Sequence, residues 1–216
     1  MTAVSEIGYR GRVPGTAIRE AAPLRAVGGR EMQRLRTRSH LVAVALEEFR
    51  RTGFAATDIA RIATAAGVSR GTFYFHFPTK DHVLAELRIA EEQRIVGEVS
   101  SRAGKRPLAA VLAEIVAGIE DAERRLGTEL VQQMCAMQFR PDSPSSSTVS
   151  DHPLAQFVVD AIIEADAGSH RDPSVLGVVF LSALFGLLST ADGPGPERAE
   201  RIDLLIALTS QGANWS

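Results

Sequence analysis

The sequence contains little cysteine. Cys135 is its one cysteine, which excludes an internal disulfide and leaves no Cys-x-x-Cys pair to hold a metal ion. A chain without disulfides fits a reducing compartment, so we expect a cytoplasmic protein. The first 30 residues hold five arginines but no apolar segment of the kind that signal peptides contain, so we expect no secretion signal there.

The sequence also lacks the motifs that mark common enzyme classes. It has no G-x-x-x-x-G-K-[ST] phosphate loop, no G-x-G-x-x-G after a strand and no G-x-S-x-G elbow. His76 and His82 are six residues apart, whereas two metal ligands on one helix face are four apart. No run has the period of two that marks a strand, and no internal repeat is present. We therefore expect no enzyme, no cofactor and no metal ion.

Charge is plentiful but unevenly distributed. Residues 1–80 carry 13 Lys and Arg against 6 Asp and Glu, whereas residues 81–216 carry 11 against 20. The overall net charge of -2 therefore hides a front part of +7 and a rear part of -9. This asymmetry favours a polyanion-binding module joined to a body with another task, although chance segregation of solvated charges gives the same numbers.

Helical periodicity begins after a tail of about 30 residues. Residues 1–30 have proline and glycine breaks and no sustained period, so we expect a flexible, arginine-rich tail. Apolar residues then recur on one helix face between residues 33 and 51, and Gly53 is placed to end that helix. We expect residues 31–80 to form one small domain.

Two short helices joined by a glycine follow the first helix. Thr57 or Asp58 can cap the first of them, and Gly67 suits the turn because glycine reaches left-handed backbone angles without strain. Ser69 is placed to cap the second helix, which continues to about residue 76. A helix, a glycine-containing turn and a second helix form the helix-turn-helix pattern of DNA-binding proteins.

The second of these helices has a polar and aromatic outer face. Arg70 can bond to guanine in the major groove, and Thr72 can contact a base or a thymine methyl group. Tyr74, His76 and Lys80 can bond to phosphate oxygens, as can the backbone N–H groups at the start of the helix. The turn, this face and the positive front part of the chain together favour a DNA-binding role.

This segment resembles the DNA-binding signature of the TetR family of transcriptional regulators. Asp58 departs from the family pattern, which more often has Ser or Thr there, and its charge would repel a close phosphate. The residues that match the signature are Thr57, Ile62, Ala63, Ala66, Gly67, Val68, Ser69, Gly71, Thr72, Tyr74, His76, Phe77 and Lys80.

The resemblance implies an all-α protein with a three-helix DNA-binding head and a helical body. It implies that the head reads bases through three residues and meets phosphates through four others, with the capped start of the second helix nearby. The expected DNA-binding residues are Thr57, Ser69, Arg70, Gly71, Thr72, Tyr74, Phe75, His76 and Lys80, of which Arg70, Thr72 and Phe75 read bases.

The resemblance also implies a function. We expect a transcriptional regulator, by default a repressor, that binds a near-palindromic operator in double-stranded DNA as a homodimer and is released by a small-molecule effector. One alternative is a DNA-binding regulator controlled by a protein partner, whose body would be filled and without a ligand pocket. A helical enzyme is the other alternative.

Residues 81–216 are expected to form the effector-binding and dimerisation domain. The helix at 173–190 is uncharged, but its serines and flanking aspartates favour a buried or subunit-interface helix over a membrane span. By the resemblance, this helix and the last one form the dimer seam. Helices are predicted at about 80–102, 107–126, 128–139, 152–167, 173–190 and 196–212, with a loop at 140–150.

We expect an apolar effector, because soft and aromatic side chains are grouped in the body. For any one of them a simple core role is the more common outcome. The candidate ligand-binding residues are Met134, Cys135, Met137, Phe139, Phe157, Phe180 and Phe185. The candidate polar contacts are Glu114, Glu120, Gln132 and Gln133.

Overall fold

The protein, analysed as a computed structural model, is helical throughout the residues that the structure describes. These are residues 28–102, 104–140, 143–144, 152–165, 172–190 and 193–213, and no strand occurs among them. The all-α prediction is thereby confirmed. The helices are α1 (Gly29–Thr52), α2 (Ile59–Ala65), α3 (Arg70–His76), α4 (Lys80–Ser100), α5 (Leu108–Leu126), α6 (Thr128–Met137), α7 (Pro153–Ala165), α8 (Pro173–Leu188) and α9 (Pro196–Ala213).

The first three helices pack around a small apolar core that forms the head. Leu41 and Phe49 of α1 are buried against Ile62 of α2 and Phe73 of α3. As predicted, Gly53 ends α1: its φ is +79°, and its N–H donates to the Phe49 carbonyl at 2.8 Å. A residue with a side chain would be strained at this backbone angle.

Helix α4 connects the head to the body. At its first turns it contacts α1 through an ion pair between Arg38 and Glu86. Further along, its buried face packs against α5, α6 and α7. Because one continuous helix contacts both the head core and the body core, a displacement in the body can reach the head through α4.

Helix α8 is buried on one face and open on the other. A Cβ at Gly177 would lie 2.9 Å from Val159, so glycine allows α7 and α8 to approach closely. The outer side chains Val175 and Val179 are 59% and 56% exposed. No helix within the described ranges is both long enough and apolar enough to cross a membrane.

The structure corrects several predicted boundaries. Helix α1 begins at Gly29, four residues before the apolar period starts, because its first turns extend beyond the core and carry an exposed ion pair from Glu31 to Arg34 (2.7 Å). Thr79 directly precedes α4, where a threonine often caps a helix, but its hydroxyl pairs with Nδ1 of His82 (2.9 Å) and caps no backbone N–H. The predicted tail up to residue 27 and most of the 140–150 loop lie outside the described residues.

Candidate DNA-binding interface

Side-chain caps fix the two helices of the helix-turn-helix. The Asp58 carboxylate accepts the Ala60 N–H at 2.5 Å and starts α2, and the Ser69 hydroxyl accepts the Thr72 N–H at 3.0 Å and starts α3. Between them, Gly67 adopts a φ of +67°. Asp58 therefore satisfies a backbone donor, which gives this departure from the family pattern a structural role.

Helix α3 presents a continuous exposed face. Phe73 is fully buried and faces the core, whereas Arg70 and Gly71 are exposed on the other side. Tyr74 is 51% exposed and Phe75 is 74% exposed, and they follow one turn later on the same side. Arg70 makes no ion pair with a described residue. This face brings together a cationic donor and two exposed aromatic rings.

Two of the expected phosphate contacts lie inside the head. Thr57 is 3% exposed, and its hydroxyl donates to the Gly53 carbonyl (2.7 Å) while it also contacts the Thr52 hydroxyl (2.8 Å). His76 is 8% exposed because it lies on the core side of α3. Burial, followed by the charges of Arg38 and Arg34, lowers the pKa of His76. Both side chains therefore lie inside the head and not on the exposed face of α3.

Lys80 also bonds within the protein. Its ammonium donates to the carbonyls of Phe54 (2.8 Å), Ala55 (3.0 Å) and Thr57 (3.2 Å), and it lies 4.7 Å from the centroid of the Phe54 ring. An ammonium has three hydrogens, and these bonds use all of them. Lys80 thereby ties the first turn of α4 to the link between α1 and α2.

The sequence analysis did not predict that arginines of α1 lie near the end of α3. Arg38 donates to the His76 carbonyl at 2.5 Å, and its guanidinium lies 4.1 Å from the centroid of the Phe77 ring. Arg30 and Arg36 are exposed on the same extended part of α1 and form no ion pair with a described residue. The density of arginine between residues 30 and 38 was the available signal, but the sequence analysis gave these arginines no role.

The expected ligand-binding residues do not all meet. Met134 and Cys135 of α6 line a small cavity of about 40 Å³, as does Phe185 of α8. Phe157 lies at a separate, larger space of about 320 Å³ beside the α4–α5 link. Phe139 follows the end of α6 and is 52% exposed. Met137 and Phe180 are fully buried, and neither lines the small cavity.

Three of the four candidate polar contacts bond to protein groups outside the small cavity. The Glu114 carboxylate pairs with Arg106, and the Gln132 amide donates to the Thr190 carbonyl at 2.7 Å. Gln133 accepts from Arg140 at 2.9 Å. Neither these three residues nor Glu120 lines the small cavity.

The polar groups that do reach the cavity come from α4. Arg88 and Glu92 are both nearly buried and form an ion pair of 2.7 Å. The sequence analysis did not select these two residues. They are four residues apart on the same helix face as the apolar Leu84 and Ile95, and this spacing could have indicated a buried ion pair. Burial raises the pKa of the Cys135 thiol to about 12, so this cysteine is not a nucleophile.

Comparisons with known proteins agree with the helix-turn-helix. A family model described as bacterial regulatory proteins, tetR family, matches residues 41–87. The chain is similar to the HTH-type transcriptional regulator AcrR of Shigella flexneri, with 34% identity over 108 residues, which are 46% of this chain and 49% of AcrR. It is also similar to the regulator CymR of Pseudomonas putida, with 38% identity over 72 residues, 33% of this chain and 34% of CymR. The matches thus span about half or less of these relatives.

Solved structures extend the likeness in fold to the body. FadR of Thermus thermophilus, a TetR family repressor crystallised with lauroyl-CoA, superimposes with a TM-score of 0.69 at 24% identity, over 81% of this chain and 94% of FadR. A TetR transcriptional regulator from Rhodococcus sp. RHA1 has a TM-score of 0.59 at 19% identity, over 81% and 95% of the two chains.

The family model covers the part of the chain in which the structure places the capped helix-turn-helix. The curated relatives are regulators and not enzymes, in agreement with the expectation from the sequence. The head, from residue 41 onward, thus resembles the TetR family of bacterial regulatory proteins.

Proposed function

We propose that the protein is a transcriptional repressor that binds a near-palindromic operator as a homodimer and leaves it when a small molecule occupies the body. The observation that carries this proposal is the exposed outer face of α3, with Arg70, Tyr74 and Phe75 on a capped helix of a helix-turn-helix. Arg70 reads a guanine edge in the major groove, and the N–H groups at the start of α3 bond to a phosphate. A cytoplasmic location, beside the operator, is part of the proposal.

Exposed apolar side chains on the last two helices support the dimer. Val175 and Val179 of α8 and Leu204 and Leu208 of α9 are each more than half exposed, and α8 and α9 contact each other. Residues four apart lie on one helix face, so each helix carries an apolar stripe. We propose that the α8 and α9 stripes of two copies form a four-helix seam.

The dimer sets the spacing of the two heads. On B-DNA, two recognition helices enter successive major grooves when their centres lie about 34–36 Å apart. A ligand that binds better to a wider spacing shifts the population away from DNA, by as much as its affinity differs between the two states. Helix α4 transmits the change because Lys80 ties its first turn to the head and Arg88 lies in the body cavity.

Because the cavity in the body is small, we keep control by a protein partner as the alternative to control by a small molecule. About 40 Å³ holds a water molecule or two and no organic ligand, so this cavity takes an organic molecule only if its lining moves. If a protein partner controls the dimer, no small molecule will alter DNA affinity. If a small molecule does, side chains around the cavity must move when it binds.

Selection from a library of random DNA duplexes tests the DNA-binding role. We expect the purified full chain to enrich a near-palindromic sequence, and no enrichment would contradict the proposal. A screen for compounds that release the selected duplex then separates the ligand-controlled regulator from the partner-controlled one.

Sedimentation at micromolar concentration tests the dimer. We expect the wild type to sediment as a dimer and Val179→Glu to sediment as a monomer, because a carboxylate in the apolar seam would be buried without a partner. Ile89→Glu, at an exposed apolar position of α4, is the matched control and keeps the dimer. A monomeric wild type would refute the seam.

A further inference from the structure

Two small cavities lie next to each other inside the body. The cavity of about 40 Å³ and a second one of about 20 Å³ are both lined by Arg88, Glu92, Leu154 and Phe185. These four residues therefore separate the two spaces. Movement of the Phe185 ring would join them into one longer cavity without disturbing the backbone of α4 or α7.

One hydrogen-bond donor at this partition is without a partner. The Arg88 side chain is 7% exposed; its Nε donates to Glu92 (2.7 Å), and its Nη2 donates to Gln138 (3.0 Å). Its Nη1 has no hydrogen-bond partner among the described residues. A buried donor without a partner is costly, and a guanidinium needs an acceptor to offset that cost. The fold thus holds a donor without a partner on a side chain that lines both cavities.

The charges around this donor are already balanced. The carboxylate of Glu92 neutralises the guanidinium of Arg88, and Nδ1 of His152 lies 3.5 Å from the other oxygen of Glu92. Glu91, at the larger cavity, is paired with Arg94 and Arg125, and the buried Cys135 keeps its proton. An anion bound here would therefore be a buried charge without compensation, whereas a neutral acceptor would not.

The rest of the lining is apolar. Ile95 and Ile119 form one side of the larger cavity, Val131 and Met134 of α6 form another, and Leu154 continues to the smaller cavity. Methionine adapts its shape readily to an added group. The surroundings select a molecule that is hydrocarbon except at one position.

We propose that the site takes an uncharged, largely apolar molecule with a carbonyl oxygen, as in a ketone, an ester or a lactone, and that this oxygen accepts a hydrogen bond from Nη1 of Arg88. The molecule displaces the Phe185 ring and fills both cavities. This inference rests on the proposed function only in naming that molecule as the effector, because the binding itself needs no DNA.

Three probes of nearly equal shape test the chemistry of the site. Acetophenone carries a neutral carbonyl, cumene replaces it by a hydrocarbon branch, and benzoate replaces it by an anion. Calorimetric titration of the full-length protein at pH 8 gives the Kd of each. We expect acetophenone to bind at least about tenfold more tightly than either of the others, because only it satisfies the charged donor without adding a charge. Benzoate binding most tightly, or no binding of acetophenone at its solubility limit, would overturn the proposal.

A double variant assigns the preference to Arg88. In Arg88→Met/Glu92→Leu both charges are replaced by apolar groups of similar volume, which avoids leaving one charge unpaired. We expect the Kd values for acetophenone and cumene to agree within about twofold in this variant. An unchanged tenfold preference would overturn the role of Arg88.

The chain offers a matched control for this variant. Glu123 and Arg198 form a second buried ion pair, and neither residue lines the two cavities. Arg198→Met/Glu123→Leu should keep the preference for acetophenone, and its loss there would contradict the proposal. If the preference is present but no DNA sequence is selected, the regulator proposal fails and the site stands; if DNA is selected but the preference is absent, only this inference fails.

Discussion

Arg70 of the head and two arginines of the body are placed in opposite ways. In the head, Arg70 lies exposed on the outer face of α3 and makes no ion pair with a described residue. In the body, Arg88 and Arg198 lie inside, each bound to a glutamate, with side chains 7% and 5% exposed. An exposed cation is available to a polyanion, whereas the charges of a buried pair offset each other. This difference is the basis for proposing ligands of different charge for the two regions.

The two buried pairs also differ from each other. Arg198 holds both carboxylate oxygens of Glu123, at 2.9 and 2.5 Å. Arg88 holds one oxygen of Glu92 and leaves Nη1 at the cavities. Desolvation makes any buried pair a weak source of stability. Pairing through both carboxylate oxygens fits a structural link between α5 and α9. Pairing through one oxygen fits a binding site, because the guanidinium keeps a donor for a ligand.

The largest expected effect is on stability, and it separates a body arginine from a head arginine. Arg88→Met leaves the buried Glu92 carboxylate without its guanidinium partner, so the free energy of unfolding should fall by about 3–5 kcal/mol. Arg70→Met, at an exposed position, should change it by less than about 0.5 kcal/mol. Urea denaturation measures both. A loss below about 1 kcal/mol for Arg88→Met would contradict the expected difference between the buried and the exposed arginine.

Lys80→Met should have the second-largest effect on stability, because it breaks three hydrogen bonds from a charged donor to the link between α1 and α2. We expect the free energy of unfolding to fall by about 2–3 kcal/mol. The slope of DNA affinity against salt concentration should stay unchanged if Lys80 acts inside the head. A slope lower by about 1 would instead assign Lys80 to a phosphate.

Arg70→Ala should weaken binding to the selected operator by about 1–3 kcal/mol and relax the base preference at one position of each half-site. Fluorescence anisotropy with the operator and with single-base variants measures both effects. Arg124→Ala, an exposed arginine of the body, is the control and leaves affinity unchanged. An equal loss on every duplex would show that Arg70 meets phosphates and reads no base.

The smallest effect is the pH dependence that comes from His76. Burial, with the charges of Arg38 and Arg34, lowers the pKa of His76 below the value of 6.5 for a free side chain. As the pH falls below about 6.5, the unfolded chain takes up this proton before the folded chain does, so the free energy of unfolding decreases. Between pH 7 and pH 5, His76→Gln should lose less stability than the wild type. An equal loss in both proteins would exclude this contribution.

Local patterns predicted the head well because its structure depends on neighbouring residues. Gly53, Gly67 and Ser69 act where the chain itself requires a turn or a cap, and these positions can be read from spacing. The sequence could not predict that the side chains of Thr57 and Lys80 point into the head. Their partners are backbone carbonyls and a hydroxyl group that only the folded head brings close to them.

The helices of the body were predicted from the sequence, but the polar groups beside the small cavity were not. Arg88 meets Gln138 and Phe185, which are 50 and 97 residues away along the chain, and only tertiary packing brings them together. The predicted ligand-binding residues include Met134 and Cys135, which line the small cavity, but also Phe139, which is exposed. Composition cannot distinguish a residue that lines a cavity from one that lies beyond the end of a helix.

The central claim is that the outer face of α3 recognises a DNA sequence. The most direct test is the ratio of the Kd for a shuffled duplex to the Kd for the selected operator, measured with the full chain at 150 mM salt. Specific DNA-binding proteins reach ratios of at least about 1000, and the account predicts such a ratio here. A ratio near one would contradict it.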